Sequence, residues 1–247
     1  MRKIILVASG KGGTGKTSLT AAVGTALAGL GKKVLVVDGD CGLRNLDLVL
    51  GMSELAVFTF ADVARGTVPL SRAAAAHPTT DGLYLLTAPA DLPDLTASQM
   101  RSLAEQTEQD GYDYVIIDGP AGLPAELSWL APISTQAVVV TSPDRACIRG
   151  AERRARKLEE EYCIARIRMV LNRIRPQLIC RGKAGNIDDA MDEAGLPLLG
   201  VVPEDEDLIA CGNSGKSIFA VKHTGAARAF QNIARRLDGE RVPLIKI

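Results

Sequence analysis

Apolar residues come in short unbroken blocks punctuated by Gly and Asp, and a three-to-four-residue period fills the gaps between the blocks. The blocks are Ile4–Ala8, Val34–Val37, Leu83–Leu86, Tyr114–Ile117, Ala137–Val140, Ile167–Leu171 and Leu198–Val202. They do not alternate with polar residues, which is the pattern of a strand covered on both faces. Helical stretches separate them. Lys16–Leu30 closes at Gly31, and Gln99–Asp110 stops at Gly111. Both glycines are C-terminal stop signals. Arg145–Tyr162 carries Ile148, Ala151, Ala155, Leu158 and Tyr162 on one face, and Ile187–Ala194 and Thr224–Leu237 complete the set. Strand and helix in alternation predict a doubly wound α/β fold: a mainly parallel sheet of about seven strands, helices on both faces and right-handed crossovers. With no repeat or linker in view, residues 1–247 read as one domain. The stretch from Gly51 to Thr80 is the least legible part.

Charge and cysteine content narrow the function. Lys plus Arg and Asp plus Glu are both 29, so nothing holds nucleic acid by overall charge. Low aromatic content disfavours a stacking platform for single strands. The five cysteines, Cys41, Cys147, Cys163, Cys180 and Cys211, are odd in number and widely spaced. They read as buried or half-buried free thiols in a reducing compartment, with no disulfide framework or metal site. Arg2 and Lys3 precede an apolar run too short for a signal peptide, and no stretch reaches membrane-spanning length. A soluble, cytoplasmic protein is expected.

One segment carries chemistry. Gly10-Lys11-Gly12-Gly13-Thr14-Gly15-Lys16-Thr17-Ser18 contains Gly-x-x-x-x-Gly-Lys-Thr between the first strand and the first helix, which is the context a phosphate-binding loop requires. Glycines let the backbone curl with its N–H groups turned inward around a polyphosphate. The helix beginning near Lys16 adds the positive end of its dipole. The Lys16 ammonium suits the β- and γ-phosphates, and the Thr17 hydroxyl suits Mg²⁺. The competing reading is an ordinary Gly-rich turn. Two further sites lie at strand ends, where open α/β sheets bind ligands. Asp38 and Asp40 are one pair of carboxylates there, otherwise explicable as helix caps. Asp118, in Asp118-Gly119-Pro120-Ala121-Gly122, is an acidic group where Mg²⁺ would need one, or else part of a turn.

Lys11, a second lysine inside the loop, completes a resemblance. Lys11 to Thr17 is similar to the deviant Walker A motif of the ParA/MinD family of ATPases. The resemblance implies that ATP and Mg²⁺ are sandwiched in a homodimer, with Lys11 reaching across to the partner's phosphates as an arginine finger does. Asp38-Gly39-Asp40-Cys41-Gly42-Leu43-Arg44-Asn45-Leu46-Asp47 resembles the family's switch I. That would give Asp40 the attacking water and Asp38 the outer shell of the metal. The Asp118 segment resembles Walker B and switch II, with Asp118 on a metal-bound water and Gly122 near the γ-phosphate. Asn172-Arg173-Ile174-Arg175-Pro176 and the segment around Pro203, Glu204 and Asp205 resemble base-recognition segments, with Asn172 on adenine; alone, either is equally well a turn.

The similarity runs from Met1 to about Leu244 and favours the MinD branch over the DNA-segregating one. It implies a slow, partner-stimulated ATPase in division-site placement, working with Min-type regulators. The alternatives are a ParA-like DNA or cargo-positioning ATPase, and a regulator that does not bind membrane. The family's members end in a basic amphipathic helix, whereas this sequence ends Glu240-Arg241-Val242-Pro243-Leu244-Ile245-Lys246-Ile247, too short and proline-broken for one. Membrane association at the inner face of the cell membrane is therefore in doubt. Thr224–Leu237, with Ala227, Phe230, Ile233, Ala234 and Leu237 on one side, reads as a core-docked helix. Arg149, Arg153, Arg154, Arg156 and Lys157 read as a solvated basic face turned away from the apolar stripe of their helix. Glu159, Glu160 and Glu161 partly cancel its field. The resemblance implies partner-regulator docking hereabouts, and DNA binding is the third reading.

Overall fold

The computed structural model describes residues 2–41, 43–120, 126–181, 186–221 and 225–244. Its centre is an eight-stranded sheet in the order β3-β4-β2-β5-β1-β6-β7-β8. The strands are β1 (Lys3–Ala8), β2 (Val34–Asp38), β3 (Ala75–Ala76), β4 (Leu83–Leu86), β5 (Tyr114–Asp118), β6 (Gln136–Thr141), β7 (Ile167–Ile174) and β8 (Leu198–Pro203). All neighbours run parallel except β3 and β4. The seven expected strands are all present. The eighth, β3, is a two-residue antiparallel edge inside the stretch that the pattern left unread. The same stretch forms α3 (Phe60–Ala64) and α4 (Leu70–Ala73), and α2 (Leu46–Leu50) precedes it.

Side chains alternate across the sheet, and both faces are buried, which is why the strands are apolar without a break. Ile5, Val7, Val34, Val36, Tyr114, Ile116, Val138 and Val140 face one layer. There α1 (Lys16–Gly29) and the last helix (Gly225–Asp238) supply Leu19, Val23, Leu27, Phe230 and Ile233. Ile4, Leu6, Leu35, Val37, Val115, Ile117, Ala137 and Val139 face the other layer. It is built from α3, α4, α5 (Ala97–Gln109) and α7 (Arg145–Glu160), with the short α6 (Leu127–Leu130) at the sheet's end. Two further short helices, α8 (Pro176–Cys180) and α9 (Ile187–Ala194), lie before β8. Then α10 (Glu206–Asn213) leads to the last helix, α11. Ala227, Phe230, Ile233, Ala234 and Leu237 of α11 are all buried, as a core-docked helix requires. Thr224, expected to open it, and the terminal residues 245–247 lie outside the described residues. Among the described residues no helix is long and apolar enough to cross a membrane.

Two expectations need correction. Cys163 and Cys180 are exposed, while Cys147 and Cys211 are buried and Cys41 is half-buried. The basic face of α7 is not uniformly solvated. Arg149, Arg153 and Arg156 are exposed, but Arg154 is 1 % exposed. Three residues after Ala151 and four before Leu158, it falls on the buried stripe.

Candidate functional site

The loop between β1 and α1 sits at the C-terminal edge of the sheet's central strands. In the parallel register Asp118 lies beside both Val7 and Asp38. The ends of β1, β2 and β5 therefore meet at one level. Gly13 and Gly15 take φ values of 78° and 95°, the left-handed region that favours glycine. Gly15 stands at the N-terminus of α1 with no side-chain cap, so the first amides of the helix remain available to an anion. Gly10 is held against Gly150 of α7: a Cβ there would lie 2.0 Å from the Gly150 carbonyl carbon.

Three polar contacts fix the loop from outside. The Ser9 hydroxyl donates to the Lys11 carbonyl at 2.8 Å. Arg154 Nε donates to the Ser9 carbonyl at 3.2 Å. The buried amide of Asn172 donates to the Thr14 carbonyl at 2.8 Å. Asn172, expected to hydrogen-bond adenine, thus anchors the loop through its amide nitrogen.

The charged residues converge behind the loop. Lys16 is 7 % exposed. Burial pulls its ammonium below the usual lysine value, while Asp118 and Asp40 oppose that shift. Thr17 donates its hydroxyl to Asp118 Oδ2 at 2.6 Å. Asp118 Oδ1 is buried without a partner among the described residues. Burial raises Asp118 to about 7 against the pull of the Thr17 bond. Asp38 is raised to about 6, again chiefly by burial. Both of its oxygens already accept backbone N–H groups: Asp40 at 3.0 Å and Leu46 at 3.1 Å. Asp38 thus ties the segment that follows β2 to the sheet. Asp40 is half-buried and shifted upward by desolvation, with Lys16 acting against it.

Among the described residues no three acidic, His or Cys side chains form a metal cage. The Thr17 hydroxyl beside the orphaned Asp118 oxygen instead makes a sparse all-oxygen set. That fits a small hard cation which keeps most of its waters and takes its other ligands from phosphate, as Mg²⁺ does.

Over the loop opens a cleft of about 1030 Å³, lined by Lys11, Gly12, Gly13 and Thr14 on one side and by Arg173, Arg175 and Glu204 on the other. Lys11 is exposed and Ser18 half-buried. Glu204 pairs with Arg175 through Nη2 at 2.8 Å and through Nε, which holds its carboxyl below the usual range. Asp205 caps α10 and accepts the Ala226 N–H at 3.2 Å, and Pro203 ends β8. Of this segment Glu204 lines the cleft, while Pro203 and Asp205 serve the fold. Gly42 and Gly122, expected in the switches, lie outside the described residues. Arg154 and the Arg175–Glu204 pair were not foreseen in these roles. The helical position of Arg154 was the available signal for the first.

Residues 5–218 match the CobQ/CobB/MinD/ParA nucleotide-binding domain family. The chain is 40% identical over 99% of its length to the septum site-determining protein MinD of Synechocystis, covering 92% of that protein. In structure it is similar to MinD in the MinC:MinD cell division protein complex of Aquifex aeolicus, with a TM-score of 0.91, 36% identity, and 99% and 98% of the two chains covered. It is also similar to the Pyrococcus horikoshii MinD complexed with Mg-ADP, with a TM-score of 0.83, 30% identity and 97% of each chain covered. The chain belongs to the CobQ/CobB/MinD/ParA family of nucleotide-binding domains, on its MinD side.

Proposed function

We propose that this chain is a MinD-type ATPase of division-site placement, a nucleotide-controlled dimerisation switch that hydrolyses ATP to ADP and phosphate. The observation that carries the reading is the Thr17–Asp118 contact, with its unpartnered carboxylate oxygen, directly behind a glycine loop and a buried lysine. The Mg-ADP bound by the Pyrococcus relative is chemistry this arrangement can accommodate. Gly10, Gly12, Gly13, Thr14, Gly15 and Ser18 shape the cradle and the helix start that receive the phosphates. Lys16 neutralises the β- and γ-phosphates, and its buried position, screened little by water, makes that charge effective. Thr17 and Asp118 hold Mg²⁺, which when bound neutralises the developing phosphoryl charge. Asp38 fixes the loop that carries Asp40, and Asp40 orients the attacking water. Gly122 is assigned to the γ-phosphate by the resemblance alone. Asn172 holds the loop, and the backbone at Pro203, Glu204 and Asp205 lies against the adenine.

Lys11 is exposed at the mouth of the cleft, free to serve a second subunit. Its cation then completes the site only in the dimer. A Min-type regulator like the MinC of the Aquifex complex is the expected partner. The test uses two variants. Lys16→Ala loses nucleotide binding in calorimetry. Lys11→Ala still binds ATP but stays monomeric by light scattering. A Lys11→Ala protein that dimerises and hydrolyses like the wild type overturns the reading.

A further inference from the structure

Beside the nucleotide cleft lies a second cavity of about 410 Å³ between Gly10–Lys11 and the first half of α7. Every charged side chain lining it is a cation: Lys11, Arg149, Arg153 and Arg154. Arg149 approaches Glu193 at 3.6 Å across a largely exposed contact, but no carboxylate lines the cavity itself. Arg154 is the telling member. It is 1 % exposed, and only Nε has an acceptor, the Ser9 carbonyl. Nη1 and Nη2 are buried with no hydrogen-bond partner among the described residues. A buried guanidinium with two unfilled nitrogens and no counter-ion is costly unless an acceptor arrives.

Glycine at both points of contact brings α7 within reach. Cβ atoms at Gly10 and Gly150 would collide or crowd against each other's backbone, at 2.0 Å and 3.2 Å. The small residues thus set this wall of basic side chains directly on the loop. Arginine forks match the oxygens of phosphate in geometry and charge.

We infer that the cavity formed by Lys11, Arg149, Arg153 and Arg154 binds a phosphate-class oxyanion, at a site separate from the nucleotide cleft. Lys11 lines both cavities, so the two sites are neighbours that share one ammonium.

The test titrates inorganic phosphate calorimetrically into the full chain, both free and saturated with Mg²⁺–ADP so that the loop is filled. The arginine Nε–Hε resonances are followed in parallel. Saturable binding to the ADP-loaded protein is expected. It weakens about tenfold or more in Arg153→Gln, at an exposed position outside the loop's contacts, and in Arg154→Met, which also removes the Nε contact to Ser9 and is read against Arg153→Gln. The Arg154 resonance shifts as phosphate binds. Absence of saturable binding to the wild type, or equal affinity in wild type and both variants, overturns the inference. Failure of ADP itself to bind is a separate result, against the nucleotide reading; phosphate titration of the free protein and the Arg153→Gln variant still decides the pocket.

Discussion

Asn172 offers a clean separation between two roles. Its amide donates to the Thr14 carbonyl at 2.8 Å, and the side chain is 4 % exposed. Asn172→Ala removes that donor and leaves a buried carbonyl without its partner, at a cost of about 1–3 kcal/mol. The contact sits in the middle of the phosphate loop, so the cost falls on the conformation that binds phosphate. If all of it is expressed in binding, dissociation constants rise between about 5- and 150-fold. A water entering the vacated space would hold the effect near the lower end. A loop anchor acts on every ligand the loop takes, with or without a base. Calorimetry of Mg²⁺–ADP and Mg²⁺–pyrophosphate against wild type and variant should therefore give the same fold-loss for both. If ADP weakens while pyrophosphate binds as before, Asn172 reads the base and the loop-anchor argument fails.

Other outcomes follow from the same geometry. Asp118 is raised to about 7 and Asp38 to about 6. The folded state therefore holds these protons more tightly than the unfolded chain, and stability of the nucleotide-free protein falls as pH rises from about 4 to about 7. Asp118→Asn removes the larger part. From 3.8 to about 7 is about 3 units, so the gain at pH 8 is at most about 4 kcal/mol, read as a higher melting temperature without Mg²⁺. A variant that melts lower at pH 8 contradicts this. Gly10→Ala drives a methyl into the Gly150 backbone and should lower both nucleotide affinity and thermal stability; wild-type behaviour in both would show that α7 can retreat. Phe230→Ala, at a fully buried position on α11, should cost about 3–5 kcal/mol, on the order of 10 °C in melting temperature. A near-neutral result in thermal denaturation would mean that α11 is not part of the core.

What the sequence disclosed follows from physics that repeats. Seven strands announced themselves because burial on both faces forces contiguous apolar runs, and the glycine loop did so because few backbones can encircle phosphate. β3 stayed hidden because two alanines at an antiparallel edge, inside the run Ala73–Ala76, carry no period and suit a helix as well as a strand. The short helices α2, α3 and α4 are under two turns, too brief for a 3.6-residue pattern. Arg154 was misplaced because charge outweighed position. On the helical wheel it belongs with Ile148, Ala151, Ala155 and Leu158, and a long polar side chain on an apolar stripe is itself a sign that something needs a buried cation. Glu204 and Asp205 could be located at the end of β8 but not assigned, since their partners Arg175 and Ala226 come from other segments of the chain.

The placement of the metal-facing carboxylate is a consequence of sheet register. Asp118 follows Ile116 by two residues and Asp38 follows Val36 by two, so the alternation that turns Ile116 and Val36 toward α1 turns both carboxylates there as well. In-register pairing of Asp38 with Asp118 brings them to the same level. α1 enters at that level because the loop leaves β1 beside β5, and its second residue, Thr17, meets Asp118 at 2.6 Å. A one-residue slip of β5 would turn Asp118 toward the opposite layer, where the neighbouring strands place Ile4, Leu6, Leu35 and Val37, and strand a charge in the apolar core. The hydrophobic pattern that forbids this slip therefore also aims the carboxylate. The same alternation leaves Ile117 and Val37, one residue earlier, to seal the other face, so the site requires no departure from the fold's own rule.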